Sequence, residues 1–233
     1  MDETEDVEIH LDEPPELPGL KGDSSTAITY ALKLTNTPAP GLGQIVAVAT
    51  ATAVYTILSW LAIISLPSGI SIISSVFLAI GFGIPFALWF GGWAFVIAYI
   101  GNFVGAGLLA GLPLLLAIPF GTVDLLQLGL PMLLYRLFAR RFGISPIGKD
   151  VYTVRGFLFF LVAAVLVNNI LGGLYGNLIL IWGGINPANT LLPGWFAWSL
   201  SNVVITLVIG SILLRTLGPA VERFGLTVRN FLS

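Results

Sequence analysis

Residues 44–123 read QIVAVATATAVYTILSWLAIISLPSGISIISSVFLAIGFGIPFALWFGGWAFVIAYIGNFVGAGLLAGLPLLLAIPFGTV, without one acidic, basic or histidine side chain. The uncharged run begins at Leu34, and a second extends from Gly156 to Leu214. A bilayer's hydrocarbon core is about 30 Å thick, so a crossing helix needs about 20 apolar residues. Runs of this length are several crossings in series. Composition agrees: 56% of the 233 residues are hydrophobic and 9% are charged, where soluble domains carry about 25% charge. A soluble globule of this size buries only part of its surface and has nowhere to put so much apolar side chain. A soluble enzyme, a nucleic-acid binder and a disulfide-stapled secreted domain are all disfavoured. The chain has no cysteine, which removes thiol nucleophiles and iron–sulfur ligation.

Working outward, glycine, proline and charge divide the chain into about six crossings: 44–66, 69–90, 92–110, 114–137, 156–182 and 194–216. The thinnest division lies at Gly91-Gly92. The fifth segment is long and is expected to tilt or to bend near Gly172, Gly173 and Gly176. Arg136, Arg140, Arg141, Lys149 and Arg155 follow the fourth crossing, and Arg215, Arg223 and Arg229 follow the start of the last turn of the sixth. Basic loops stay inside, so both termini are expected in the cytoplasm and the uncharged loops 66–69, 110–114 and 183–193 outside. Trp182, Trp195 and Trp198 are placed as an aromatic belt beside the last of these. The expected fold class is an all-α, multi-pass protein of the cell membrane. The basic loop has two readings: it enforces topology, or it also binds lipid head groups or a soluble partner.

Residues 1–40 form a separate region, expected to be an acidic, largely disordered cytoplasmic tail. Residues 1–33 carry nine acids and two lysines, a composition of disordered tails. Ser24–Leu34 has the capping residues and spacing of a short helix. Residues 41–217 make the membrane domain and 218–233 a C-terminal cytoplasmic tail.

Catalysis requires paired groups, an acid with a base or a nucleophile with a base. The crossings hold one ionisable acid, Asp124, and no His, Glu, Lys or Cys. No metal-ligand cluster and no haem ligand pair is present, so no enzyme activity, metal or other cofactor is expected. Asp124 is expensive to keep in a membrane, and such residues face bundle interiors. Gln127 lies one turn away on the same face. Asn102, Asn168, Asn169 and Asn202 fall, by helix rise, between the midplane and the outer half. Two readings follow. The polar layer is interhelical hydrogen-bond glue, or it lines an outward-opening pocket in which these six residues bind a small molecule. Small residues repeat at four-residue spacing: Ala47/Ala51, Ala49/Ala53, Gly101/Gly105, Gly107/Gly111 and Gly172/Gly176. They permit close helix packing, within the chain or, for the alanine stripe, against a partner subunit.

Two family resemblances arise from these stretches. WFGGWAFVIAYIGNFVGAGLLAGLPLLLAIPFGTVDLLQLGLPMLLYRLFARR (89–141) resembles the core of membrane-associated sensor domains that precede diguanylate cyclases and histidine kinases. WFAWSLSNVVITLVIGSILL (195–214) is similar to that family's last helices, with Asn202 where an acid is expected. The layout of 44–216 also resembles the substrate-capture subunits of energy-coupling factor transporters. That resemblance implies six helices, both termini inside, an outward ligand pocket, and an alanine surface at Ala47, Ala49, Ala51 and Ala53 for a transmembrane coupling subunit working with ATPases. The first functional expectation is non-enzymatic binding of a small solute for uptake with an ATP-driven partner. The alternatives are a sensory module with a signalling partner and a structural assembly subunit. The bilayer is the one partner common to all three, and nucleic acid is a partner in none.

Overall fold

A computed structural model describes residues 30–65 and 68–233. The described residues contain no β-strand; their helices are α1 (Leu42–Ser65), α2 (Leu78–Phe90), α3 (Trp93–Leu108), α4 (Leu114–Phe142), α5 (Val154–Trp182) and α6 (Ala188–Arg223). The all-α class stands as expected. Helices satisfy every backbone group within the segment, which apolar surroundings require.

Four of these helices, α1, α4, α5 and α6, are long and apolar enough to cross a membrane. The count of six crossings is corrected at the second and third. Helix α2 has 13 residues, about 20 Å of rise, short of a bilayer core. It begins at Leu78, not near 69. Serine hydroxyls explain the delay, because they capture backbone N–H groups that a helix would use. Ser68 accepts from Ile70 N at 3.4 Å and Ser74 from Val76 N at 3.1 Å. Ile72 takes the left-handed conformation, φ 60°, which a β-branched residue rarely adopts. The first helical turn of α2 is then fixed from another helix: Phe77 N donates to Ser201 Oγ of α6 at 3.0 Å.

The division at Gly91-Gly92 is real and tight. Gly91 has φ 57°, and a Cβ there would lie 3.0 Å from the Phe231 carbonyl oxygen. Helix α5 is continuous through 172–176 and contains a π-helical stretch at Leu161–Leu166. Its glycines make room for neighbours: Gly172 for Gln127 of α4 and Gly176 for Trp198 of α6. This also corrects the aromatic belt. Trp182 is 78% exposed, but Trp198 is turned into the bundle at 8%.

The bundle has one neutral end and one basic end. At the neutral end Asn186 Nδ2 donates to Ser71 O at 3.0 Å, tying the 183–190 loop to the 68–77 segment. At the basic end the residues after α6 are not a free tail. Val228 N donates to Trp89 O at 2.8 Å and Gly92 N to Phe231 O at 2.6 Å, so the C-terminal segment covers the α2–α3 turn. Tyr30–Leu34 is extended rather than helical, with Ala31 N on Arg229 O at 2.7 Å and Phe231 N on Lys33 O at 3.1 Å. The rest of the expected 24–34 helix, and the acidic segment before it, lie outside the described residues.

Arg136 organises this end. It is buried near the end of α4, and its guanidinium donates to Val228 O at 2.6 Å, Arg229 O at 3.3 Å and Leu88 O at 3.4 Å. It also lies 4.8 Å from the Tyr30 ring centroid, a cation–π distance. The Tyr30 hydroxyl donates to Glu222 at 3.0 Å, and burial pushes its pKa up to about 12.

Candidate functional site

A narrow cavity of about 10 Å³ lies toward the neutral end, between α1, α3, α4, α6 and the 68–77 segment. Its apolar wall includes Ile63, Ile72, Phe77, Ala106 and Phe120, and its polar wall Ser74, Asn102, Trp198 and Asn202. Roughly one water molecule fits in its free space in this conformation. Three buried polar atoms on this wall have no protein partner: both amide atoms of Asn202 and the indole Nε1 of Trp198. Asn202 is fully buried. Leaving such atoms unpaired costs free energy in low dielectric, so a group that pairs them is strongly favoured there.

Of the six expected site residues, the cavity takes Asn102 and Asn202. Asn102 sits where α3 widens into a π-helical stretch at Gly101–Leu108, and its Nδ2 donates to Phe120 O at 2.7 Å. The other four, Asp124, Gln127, Asn168 and Asn169, are not on the cavity wall. They continue from it as a buried track. On α4, Asp124 follows Phe120 by one turn, about 6 Å, and Gln127 follows Asp124. On α6, Thr206 follows Asn202 by the same spacing.

Asp124 is fully buried, and one oxygen accepts from the Tyr55 hydroxyl of α1 at 2.7 Å. Its Oδ1 has no protein partner. Tyr55 reaches it through a slot lined by glycine. A Cβ on Gly83 of α2 would lie 2.4 Å from one edge of the ring, and one on Gly101 of α3 would lie 2.2 Å from the other. Sequence reasoning missed Tyr55. The available signal was a phenol in mid-helix, whose hydroxyl requires a partner when buried, in a membrane region with a single acid.

Gln127 and the two asparagines of α5 join α4, α5 and α6. Gln127 Nε2 donates to Asn169 Oδ1 at 3.1 Å, and Asn169 Nδ2 donates to Val165 O at 2.8 Å and Thr206 Oγ1 at 3.4 Å. Asn168 has a structural duty. Pro131 lacks the N–H that would bond the carbonyl one turn earlier, which is that of Gln127. Asn168 Nδ2 supplies the missing donor at 3.0 Å. A double-mutant cycle tests this: Asn168→Leu should cost about 1 kcal/mol less in a Pro131→Ala background, where the helix provides its own donor. Equal costs in denaturant unfolding would refute the substitution of one donor for the other.

Beyond the track toward the basic end, Leu88, Leu128, Met132 and Phe160 are fully buried and close the interior. Among the described residues no group of His, Asp or Glu is arranged to hold a metal ion.

The alanine stripe divides by face. Ala51 is buried and Ala47 packs against the core, so both serve the chain's own packing. Ala49 and Ala53 are exposed and line an open apolar groove between α1 and α3, with Ile57 and Val96 beside them. The partner-facing expectation for Ala51 is therefore corrected, because the four-residue period brings it round to the inner face. No protein-family model matches the chain, and no curated protein or solved structure is similar to it.

Proposed function

We propose that this membrane protein is a non-enzymatic binder of a small polar solute, serving uptake together with an ATP-driven partner. The observation that carries the reading is the set of unpartnered atoms of Asn202 and Trp198 on one cavity wall. They offer two donors and one acceptor beside aromatic surface, and a solute larger than water reaches them when the 68–77 segment moves away from α6. Asp124 adds a free carboxyl oxygen one turn below Phe120. In this reading the neutral end faces outward, the basic end and both termini face the cytoplasm, and the membrane is the cell membrane. The apolar closure around Leu128 and Met132 holds the inner side shut. The exposed half of the alanine stripe, Ala49 and Ala53, gives a coupling subunit a close-packing surface.

The experiment is mass detection of small molecules that co-purify with the full chain, in wild type and in Asn202→Leu. Leucine keeps the volume and removes both unpaired amide atoms. Thermal stability should hold or rise, since the buried unsatisfied groups are gone. The co-purifying solute should fall by about 10- to 100-fold. An empty wild-type protein, or equal loading of the variant, sinks the reading. Capture of ATPases by the wild type supports the uptake role, whereas capture of a kinase or cyclase in their place overturns it in favour of sensing.

A further inference from the structure

The basic residues between α4 and α5 have unlike surroundings. Arg136 is buried on backbone carbonyls, and Lys149 is paired with Glu222 at 2.5 Å. The loop's own acid, Asp150, accepts from Ser145 N at 2.9 Å. Arg141 and Arg155 differ from all of these. Both are exposed, and neither is paired with a carboxylate of a described residue. They stand at one open groove, whose apolar wall includes Phe142, Ile144, Leu158, Phe159 and Val162. Phe142, Leu158 and Val162 are each more than half exposed.

We infer that this groove binds an anionic phospholipid, with its phosphate held between Arg141 and Arg155 and its acyl chain laid along Leu158 and Val162. Charge complementarity supplies the first half of the argument. Two guanidiniums without carboxylates present forked donors that match phosphate oxygens. Position supplies the second half. Arg155 lies in the first turn of α5, and the apolar wall runs from there along a helix long enough to cross the bilayer. The groove therefore starts at head-group level and continues into the acyl layer. A free phosphate matches only the arginines, and a neutral lipid only the apolar wall. Basic pockets between membrane helices are suited to acidic head groups for this reason.

The test uses the full chain in mixed micelles with phosphatidylglycerol, with phosphatidylcholine, or with inorganic phosphate, reading retained lipid by native mass spectrometry and the thermal midpoint. Wild type should retain and be stabilised by phosphatidylglycerol alone. Replacing both arginines by glutamine (Arg141→Gln with Arg155→Gln) should weaken retention by about 30-fold, each basic residue contributing about fivefold. The paired control, Arg215→Gln with Arg223→Gln, removes equal charge outside the groove and should retain lipid like wild type. Replacing the two groove arginines by lysine keeps the charge without the forked donors and should recover only part of the retention. Equal retention of both lipids, stabilisation by phosphate alone, or an equal loss in the control pair overturns the inference.

Discussion

Gly101→Ala should lower stability by about 2–6 kcal/mol, and Gly83→Ala by a similar amount. A methyl at 101 would stand 2.2 Å from Tyr55 Cδ1, so the ring has to leave its slot. Overpacking of this kind costs about 1–3 kcal/mol. The displaced hydroxyl also leaves Asp124, whose other oxygen is already unpartnered, and an unsatisfied buried acceptor adds about 1–3 kcal/mol. Denaturant unfolding of the two variants measures the sum. Gly210→Ala is the matched control, because its added methyl meets nothing nearer than 3.5 Å. The cause is isolated in a Tyr55→Ala background, where Gly101→Ala should cost much less. A full-size loss in that background would place the clash elsewhere.

The second large effect is expected at Arg136. Its guanidinium ties α2, α4 and the C-terminal segment together through three carbonyls. Arg136→Ala should release that segment and cost about 2–4 kcal/mol, since hydrogen bonds to a charged group contribute about 1.5–3 kcal/mol each and some are regained from water. Trypsin supplies the readout. Arg229 donates and accepts backbone bonds within the packed segment, so it is protected in wild type and cleaved rapidly in the variant. Arg136→Lys should not restore protection, because an ammonium on a single stem cannot span the three acceptors. Tyr30 gives this end a pH limit. Its pKa is raised to about 12, chiefly by burial. Its contribution is therefore complete below the ordinary tyrosine pKa of about 10 and is lost as pH rises through the folded value.

The fold class was readable because charge and hydropathy report directly on where a helix prefers to lie. The start of α2 was not readable, because Ser68 and Ser74 change the backbone bonding without making the stretch hydrophilic. The polar layer was readable as a set of positions, but its roles were not. Asn168 looks like a ligand group until Pro131 is seen to leave the Gln127 carbonyl without a donor. Trp198 looked like an interfacial anchor, because the space that Gly176 opens for it on α5 lies far away in the chain. Tyr55 was hidden by its neighbours, since an apolar helix gives no periodic sign that one hydroxyl crosses between two other helices.

That crossing constrains how the bundle is put together. Tyr55 belongs to α1, its partner acid to α4, and its slot to α2 and α3. Helices inserted one after another emerge as α1, then the α2–α3 pair, then α4. If α2 and α3 packed fully together against α1 before the ring was seated, the two glycines would leave no path for it. The pair therefore closes around the ring rather than ahead of it, and the acid that fixes the ring's far end arrives afterward. Seating the Tyr55 ring is therefore tied to the docking of four helices rather than of any single hairpin.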